Sequence, residues 1–167
     1  MSEATQQYLI RRATAADAGA LARCRLELFR EIDHDPSAER EAEFVALCEC
    51  TMARFADAGL ATAWLAEAPE DLSAIGSIVL LAYPRLPTLT SSGTDEGYIV
   101  SVYVAPAWRR RGLASALTDT AIAYAREVGM ARVRLHATPV GREVYERAGF
   151  RRRDDAMEIE LTASADV

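Results

Sequence analysis

The chain has 167 residues, of which 50% are hydrophobic and 26% charged, a balance that suits one compact domain with a single core. Its formal net charge of −6 disfavours non-specific nucleic-acid binding and suits cationic substrates. All 19 basic side chains are arginine, which excludes a pyridoxal Schiff base, a P-loop lysine and a kinase lysine.

Residues 1–7 read as a tail without the basic region and apolar run of a secretory signal, and no stretch reaches the ~18 apolar residues of a membrane helix. A cytoplasmic location is the expectation. Cys24, Cys48 and Cys50 are odd in number, so reduced thiols are expected rather than a disulfide framework. Residues 8–12 form a first short strand. Thr14 then caps a helix with Asp17 in its first turn, and Leu21, Cys24, Leu28 and Ile32 recur at helical spacing to about Glu31. His34, Asp35 and Pro36 break it. A second helix over residues 37–57 presents Phe44, Leu47, Met52 and Phe55, and Gly59 ends it.

Residues 60–68 and 73–83 are two strands joined by a turn at Pro69, so they pair as a hairpin, the second apolar on both faces. A loop rich in Pro, Ser and Thr follows over 84–95. Residues 98–104 are the next strand. Leu113, Leu117, Ala121, Tyr124 and Val128 mark one face of a helix that Gly129 closes, and residues 132–137 return as a strand. A strand, helix and strand in that order predict a parallel pair with a right-handed crossover. A short helix over 141–147 ends at Gly149, and residues 157–161 form a last, antiparallel strand. The class is α+β: a mixed, mostly antiparallel sheet with a parallel pair and helices on both faces. The expected domain spans 8–162, and residues 163–167 form a second tail.

The segment from Tyr98 to Ser115 carries most of the chemistry. A strand ends at Pro106, a basic loop follows, and a small-residue helix opens at Gly112. Free N–H groups at a helix start attract anions, and the helix dipole adds to that attraction. Gly112 lets a phosphate approach the backbone, and Ala114 is small for the same reason. Arg109, Arg110 and Arg111 supply charge-assisted hydrogen bonds at the rim. The dinucleotide fingerprint needs three spaced glycines, and only Gly112 is present. The competing reading is a solvated basic loop at a helix start.

The run VYVAPAWRRRGLASAL, residues 102–117, resembles the coenzyme A-binding motif of the GNAT superfamily of N-acetyltransferases, and HATPVGREVYERAGF, residues 136–150, resembles that family's following strand, helix and Gly-Phe signature. The resemblance spans nearly the whole chain in element order and implies a central parallel pair that splays apart. Acetyl-coenzyme A is then the cofactor. Its pantetheine arm lies along the backbone of Val102, Tyr103 and Val104 like an added strand. Its pyrophosphate rests on the amides from Arg110 through Gly112, Leu113 and Ala114 to Ser115. The family often has Asn and Ala where this chain has Thr138 and Gly141, which puts one cofactor contact in doubt. Tyr145 matches the family's tyrosine near the sulfur, the general acid toward the departing thiolate; a helix aromatic packed in the core is the plainer reading. Glu96 has two readings, the general base or an exposed loop residue, and a strand bulge decides which face it shares with the site.

The acceptor, a primary amine of a small molecule or peptide, enters between the first two helices and the 84–95 loop. Glu27, Glu31, Asp33 and Asp35 concentrate acid there, and Phe29 and Tyr98 form an apolar wall; a solvated helix face explains the same charges. No Cys/His spacing fits a metal, and none is expected. His136 reads as a strand residue near the cleft. Three functions follow: amine acetyltransfer by direct attack, a non-catalytic coenzyme A sensor, and nucleic-acid binding through the arginine clusters, which the net charge opposes. A homodimer is common among such relatives.

Overall fold

The computed structural model describes residues 8–32, 37–90, 92–155 and 157–159. Five strands form one sheet in chain order: β1 Leu9–Arg12, β2 Ala61–Glu67, β3 Ala74–Pro84, β4 Asp95–Val104 and β5 Val133–Leu135. The first four pair antiparallel and β5 joins β4 in parallel. Four helices complete the chain: α1 Ala18–Ile32, α2 Ala38–Asp57, α3 Leu113–Glu127 and α4 Arg142–Arg147. Among the described residues no helix is long and apolar enough to cross a membrane.

The sheet separates two apolar layers. On one face Trp64, Ala66, Ile78, Leu80 and Ile99 pack against Leu113, Leu117 and Ala121 of α3. On the other, Leu65 and Tyr103 meet Leu21 and Cys24 of α1. Period-two alternation along β2 sends Trp64 one way and Leu65 the other. Leu117 is fully buried, so truncation to alanine would cost roughly 2–5 kcal/mol. The helix starts are built locally: Ser37 accepts from the Arg40 amide, and Asp17 accepts from the backbone and hydroxyl of Thr14.

Several expectations are corrected. Val128 is half exposed, and Ala125 and Thr118 complete the buried face of α3 instead. Leu47 is exposed, and α2 buries no residue fully. Residues 157–159 form no strand and are exposed; the rest of that expected strand lies outside the described residues, as do Asp33, His34 and Asp35. β4 starts three residues earlier than expected, because Asp95, Glu96 and Gly97 pair with Pro84, Tyr83 and Ala82.

One irregularity sets up the site. Ser77 pairs with Tyr103 but Val79 pairs with Val100, so β4 carries an extra residue between them. Ser101 takes it up at φ 54, a left-handed conformation rare outside glycine. The bulge changes strand parity: Ile99 faces α3, and so do Val102 and Val104 beyond it. Glu96, Tyr98 and Val100 precede the bulge and face the α1 side, as Tyr103 does beyond it.

Candidate active site

The β4–β5 ladder covers only Gly97 to Ile99 on β4. Beyond it no backbone pair joins the two strands among the described residues, which leaves an unpaired gap on the β5 side of β4. The Ala105 amide donates to the Ile75 carbonyl of β3 at 2.8 Å. Alternation then turns the Val102 and Val104 backbone groups to the opposite side, into the gap. Consistently, the Val104 carbonyl accepts from Arg109 Nε at 2.9 Å. Tyr103 corrects an expectation: its backbone faces β3, and its side chain is buried against α1.

The gap leads to the N-terminus of α3. Pro106–Trp108 form a single 3-10 turn, Arg110 lies at φ 60, and Gly112 caps α3 at φ 80. No side chain caps this helix. The amides of Leu113, Ala114 and Ser115 therefore keep their donors for a ligand. A Cβ on Gly112 would meet no protein atom within 4 Å, so its glycine answers to the backbone angle and to the open space above the amides. Leu113 contributes only its backbone, since its side chain is core.

The three arginines differ. Arg109 is held by the Val104 carbonyl and by Glu31 of α1, so its guanidinium ties the loop to α1 rather than rimming the phosphate pocket. Arg111 stacks over Trp108 with its guanidinium carbon 5.1 Å from the ring centroid. Arg110 is exposed and makes no ion pair among the described residues.

α4 forms the other wall. Thr138 accepts from the Gly141 amide with its hydroxyl at 3.2 Å and its carbonyl at 3.1 Å, which starts the helix. A Cβ on Gly141 would come within 3.1 Å of the Tyr145 ring, so this glycine makes room for the tyrosine. Tyr145 packs edge-on to Phe150 with centroids 6.0 Å apart. Its hydroxyl has no hydrogen-bond partner among the described residues, and burial raises its pKa above the ordinary tyrosine value.

Glu96 is neither an exposed loop residue nor a free carboxylate. Its side chain is 6% exposed, and its oxygens form ion pairs with Arg85 at 3.1 Å, Arg132 at 3.0 Å and Arg134 at 3.3 Å. The Tyr83 hydroxyl adds a hydrogen bond at 3.1 Å. Three guanidiniums gather around one carboxylate because Arg134 lies opposite Tyr98 and shares Glu96's face. Beside them the Tyr98 hydroxyl contacts His136 Nδ1 where the ladder ends. Burial raises the Tyr98 pKa, and Glu158 raises it further.

The expected acceptor wall is not continuous. Phe29 packs on Phe44, with centroids 5.5 Å apart, and lies under Arg25, whereas Tyr98 packs on His136. The acids of α1 are spent on ion pairs: Glu27 with Arg30 at 2.6 Å, and Glu31 with Arg109. Sequence periodicity had no signal for Arg25, whose Nη1 donates to the Ser101 hydroxyl at 2.5 Å, because that contact exists only through the bulge.

The Acetyltransferase (GNAT) family matches the chain over residues 24–150. No curated protein matches. Many solved structures do. A predicted acetyltransferase with acetyl-CoA from Clostridium acetobutylicum is 25% identical, with TM-score 0.79, covering 92% of this chain and 96% of that one. A GCN5-related N-acetyltransferase from Ralstonia eutropha is 26% identical, with TM-score 0.77 over 92% and 98%. Glucosamine-6-phosphate N-acetyltransferase from Arabidopsis thaliana shares the fold at 16% identity, with TM-score 0.67 over 96% and 100%.

Proposed function

The chain belongs to the acetyltransferase (GNAT) family, and from that premise we propose that it moves an acetyl group from acetyl-CoA to a primary amine of a small molecule or peptide by direct attack. It is an N-acetyltransferase that uses acetyl-CoA. The observation that carries the reading is the three-residue β4–β5 ladder, which opens into a gap running to the uncapped α3 N-terminus.

Acetyl-CoA supplies the activated thioester. The Val102 amide faces the gap and would donate to the thioester carbonyl oxygen, an oxyanion-type contact. The Leu113, Ala114 and Ser115 amides would hold the pyrophosphate, with Arg110 free to swing over it. Tyr145 keeps its proton through neutral pH and would deliver it to the departing sulfur.

Glu96 serves as an anchor for Arg85, Arg132 and Arg134 rather than as the base. The proton of the attacking amine passes to His136, joined through Nδ1 to Tyr98 at the mouth of the gap. Thiol release from acetyl-CoA across a panel of amines tests the function, and the pH profile of His136→Gln tests the proton route. Absent thiol release, with no rise of Tm on adding acetyl-CoA, would sink the reading. An acidic limb of kcat/KM unchanged in His136→Gln would remove the histidine from it.

A further inference from the structure

Among the described residues Arg25 is a cation without an anion. It leaves α1 half buried and stacks on Phe29 at 4.8 Å from the ring centroid. Its Nη1 donates to the Ser101 hydroxyl, and its charge works against the burial that raises the pKa of the neighbouring Cys48 thiol of α2. These three neighbours are neutral, and among the described residues no carboxylate pairs with it. The acids of α1 are engaged elsewhere, Glu27 with Arg30 and Glu31 with Arg109, and Glu41 of α2 also pairs with Arg30. Placing a guanidinium away from bulk water without a counter-charge costs free energy unless something charged completes it.

Its position gives that cost a purpose. Ser101 is the bulge residue, and the next residue, Val102, turns its amide into the gap. Arg25 therefore stands on the α1 face, one residue from the backbone that would polarise the thioester. α3 covers the opposite face of the sheet. An acceptor arriving at the gap from the α1 side meets this guanidinium, whose five donors are only partly used.

Resting on the amine-acetyltransfer reading, we infer that the acceptor carries an anionic group, a carboxylate or a phosphate, near its amine, and that Arg25 binds it. Of the acids foreseen for a cationic acceptor, Glu27 and Glu31 are paired with Arg30 and Arg109, which leaves Arg25 as the cation beside the bulge with no carboxylate partner among the described residues. A planar fork of donors suits both oxyanions, and losing a charge-assisted contact in a partly desolvated site costs ten- to a hundredfold in specificity.

The test compares matched acceptors by thiol release: L-amino acids against their amides for the carboxylate, and phosphoethanolamine against ethanolamine for the phosphate. The wild type is expected to favour the anionic member at least tenfold in kcat/KM in one arm, which also identifies the group. Arg25→Gln should lower the anionic member at least tenfold more than the neutral one, and Arg25→Lys should keep most of the preference. Neutral members equal to or better than anionic ones in both arms would overturn the inference, as would a Gln variant that lowers both members equally. Should none of these amines react, malonate or inorganic phosphate should still raise the Tm of the wild-type coenzyme A complex and not that of Arg25→Gln; no rise overturns it. Failure of acetyl-CoA itself to raise the Tm would instead strike the acetyltransfer reading, so the two failures are distinguishable.

Discussion

The hydroxyl of Ser77 donates to the carbonyl oxygen of Ser101 at 3.3 Å, across the sheet, where β4 carries its extra residue. Ser77 is 1% exposed, so that bond is shielded from water and helps fix Ser101 in its left-handed conformation. Ser77→Ala should cost about 1 kcal/mol in chemical denaturation, the net worth of one neutral hydrogen bond. The larger effect should be on kcat/KM, since the bulge aims the Val102 amide into the gap. A loss of stability with unchanged kcat/KM would detach the bulge from the chemistry.

Gly112→Ala separates backbone strain from cofactor approach. The residue stands at φ 80 and nothing in the protein lies within 4 Å of the added methyl. The stability loss should then be roughly 1 kcal/mol, the cost of holding a non-glycine residue in that region. The KM for acetyl-CoA should rise much more, at least tenfold, because the methyl stands over the free amides of α3. Equal KM values for variant and wild type would show that the pyrophosphate lies elsewhere.

Tyr145→Phe should lower kcat by roughly 10²-fold while leaving the acetyl-CoA-induced Tm rise in place, the pattern of a lost general acid rather than a lost binding contact. The pH dependence has a definite sign. Burial raises the Tyr145 pKa, so the folded protein retains this proton beyond the point where the unfolded chain releases it at about pH 10. The active, protonated form thus persists through neutral and mildly alkaline pH, and a fall of kcat below about pH 9 must come from another group. A fall there that disappears in Tyr145→Phe would contradict the assignment.

Much of this site was legible in the residues. The strand, loop and α3 order follow from apolar periodicity broken at Pro106 and Gly112, and the parallel β4–β5 pair follows from the intervening helix. Local pattern could not show which side chains find each other across the sheet. Glu96 carries two readings, a general base at the strand's start or an exposed loop residue, and only its place in β4, paired with Tyr83 of β3, shows it buried in the sheet. Arg109 read as a phosphate ligand because it adjoins Gly112, yet Glu31 lies 78 residues away in sequence and claims it. Thr138 and Gly141 depart from the family's usual pair, and only the Tyr145 ring beside Gly141 gives that glycine a physical reason.

The Arg11–Asp17 pair predicts acid sensitivity. Two bonds of 2.8 Å to Arg11 hold the Asp17 carboxyl well below the usual carboxylate range, and bonds from Thr14 reinforce this. A depressed folded-state pKa means that the stabilisation is fully present above about pH 4, the unfolded value, and is lost as pH falls through the lower folded value. Arg11 is 36% exposed, so solvent screening holds the contribution to about 1 kcal/mol. Asp17→Asn should be less stable than wild type at pH 7 by that amount, and the two should converge below about pH 3. Denaturation curves at both pH values measure it; a constant difference would mean that the carboxylate charge is not what matters.

Glu96→Gln distinguishes an anchor from a base. The carboxylate is 6% exposed and is the shared ion-pair partner of Arg85, Arg132 and Arg134. Replacing it with a neutral amide leaves those cations facing one another. The cost should be about 2–4 kcal/mol, below that of breaking a fully buried pair, because Arg132 and Arg134 are about half exposed. Like-charge repulsion is screened by salt, so the lost Tm should be partly restored at 1 M sodium chloride. Residual turnover should keep the wild-type shape of its pH profile. A general base would behave in the opposite way: nearly unchanged Tm, no response to salt, and a kcat that collapses together with the acidic limb.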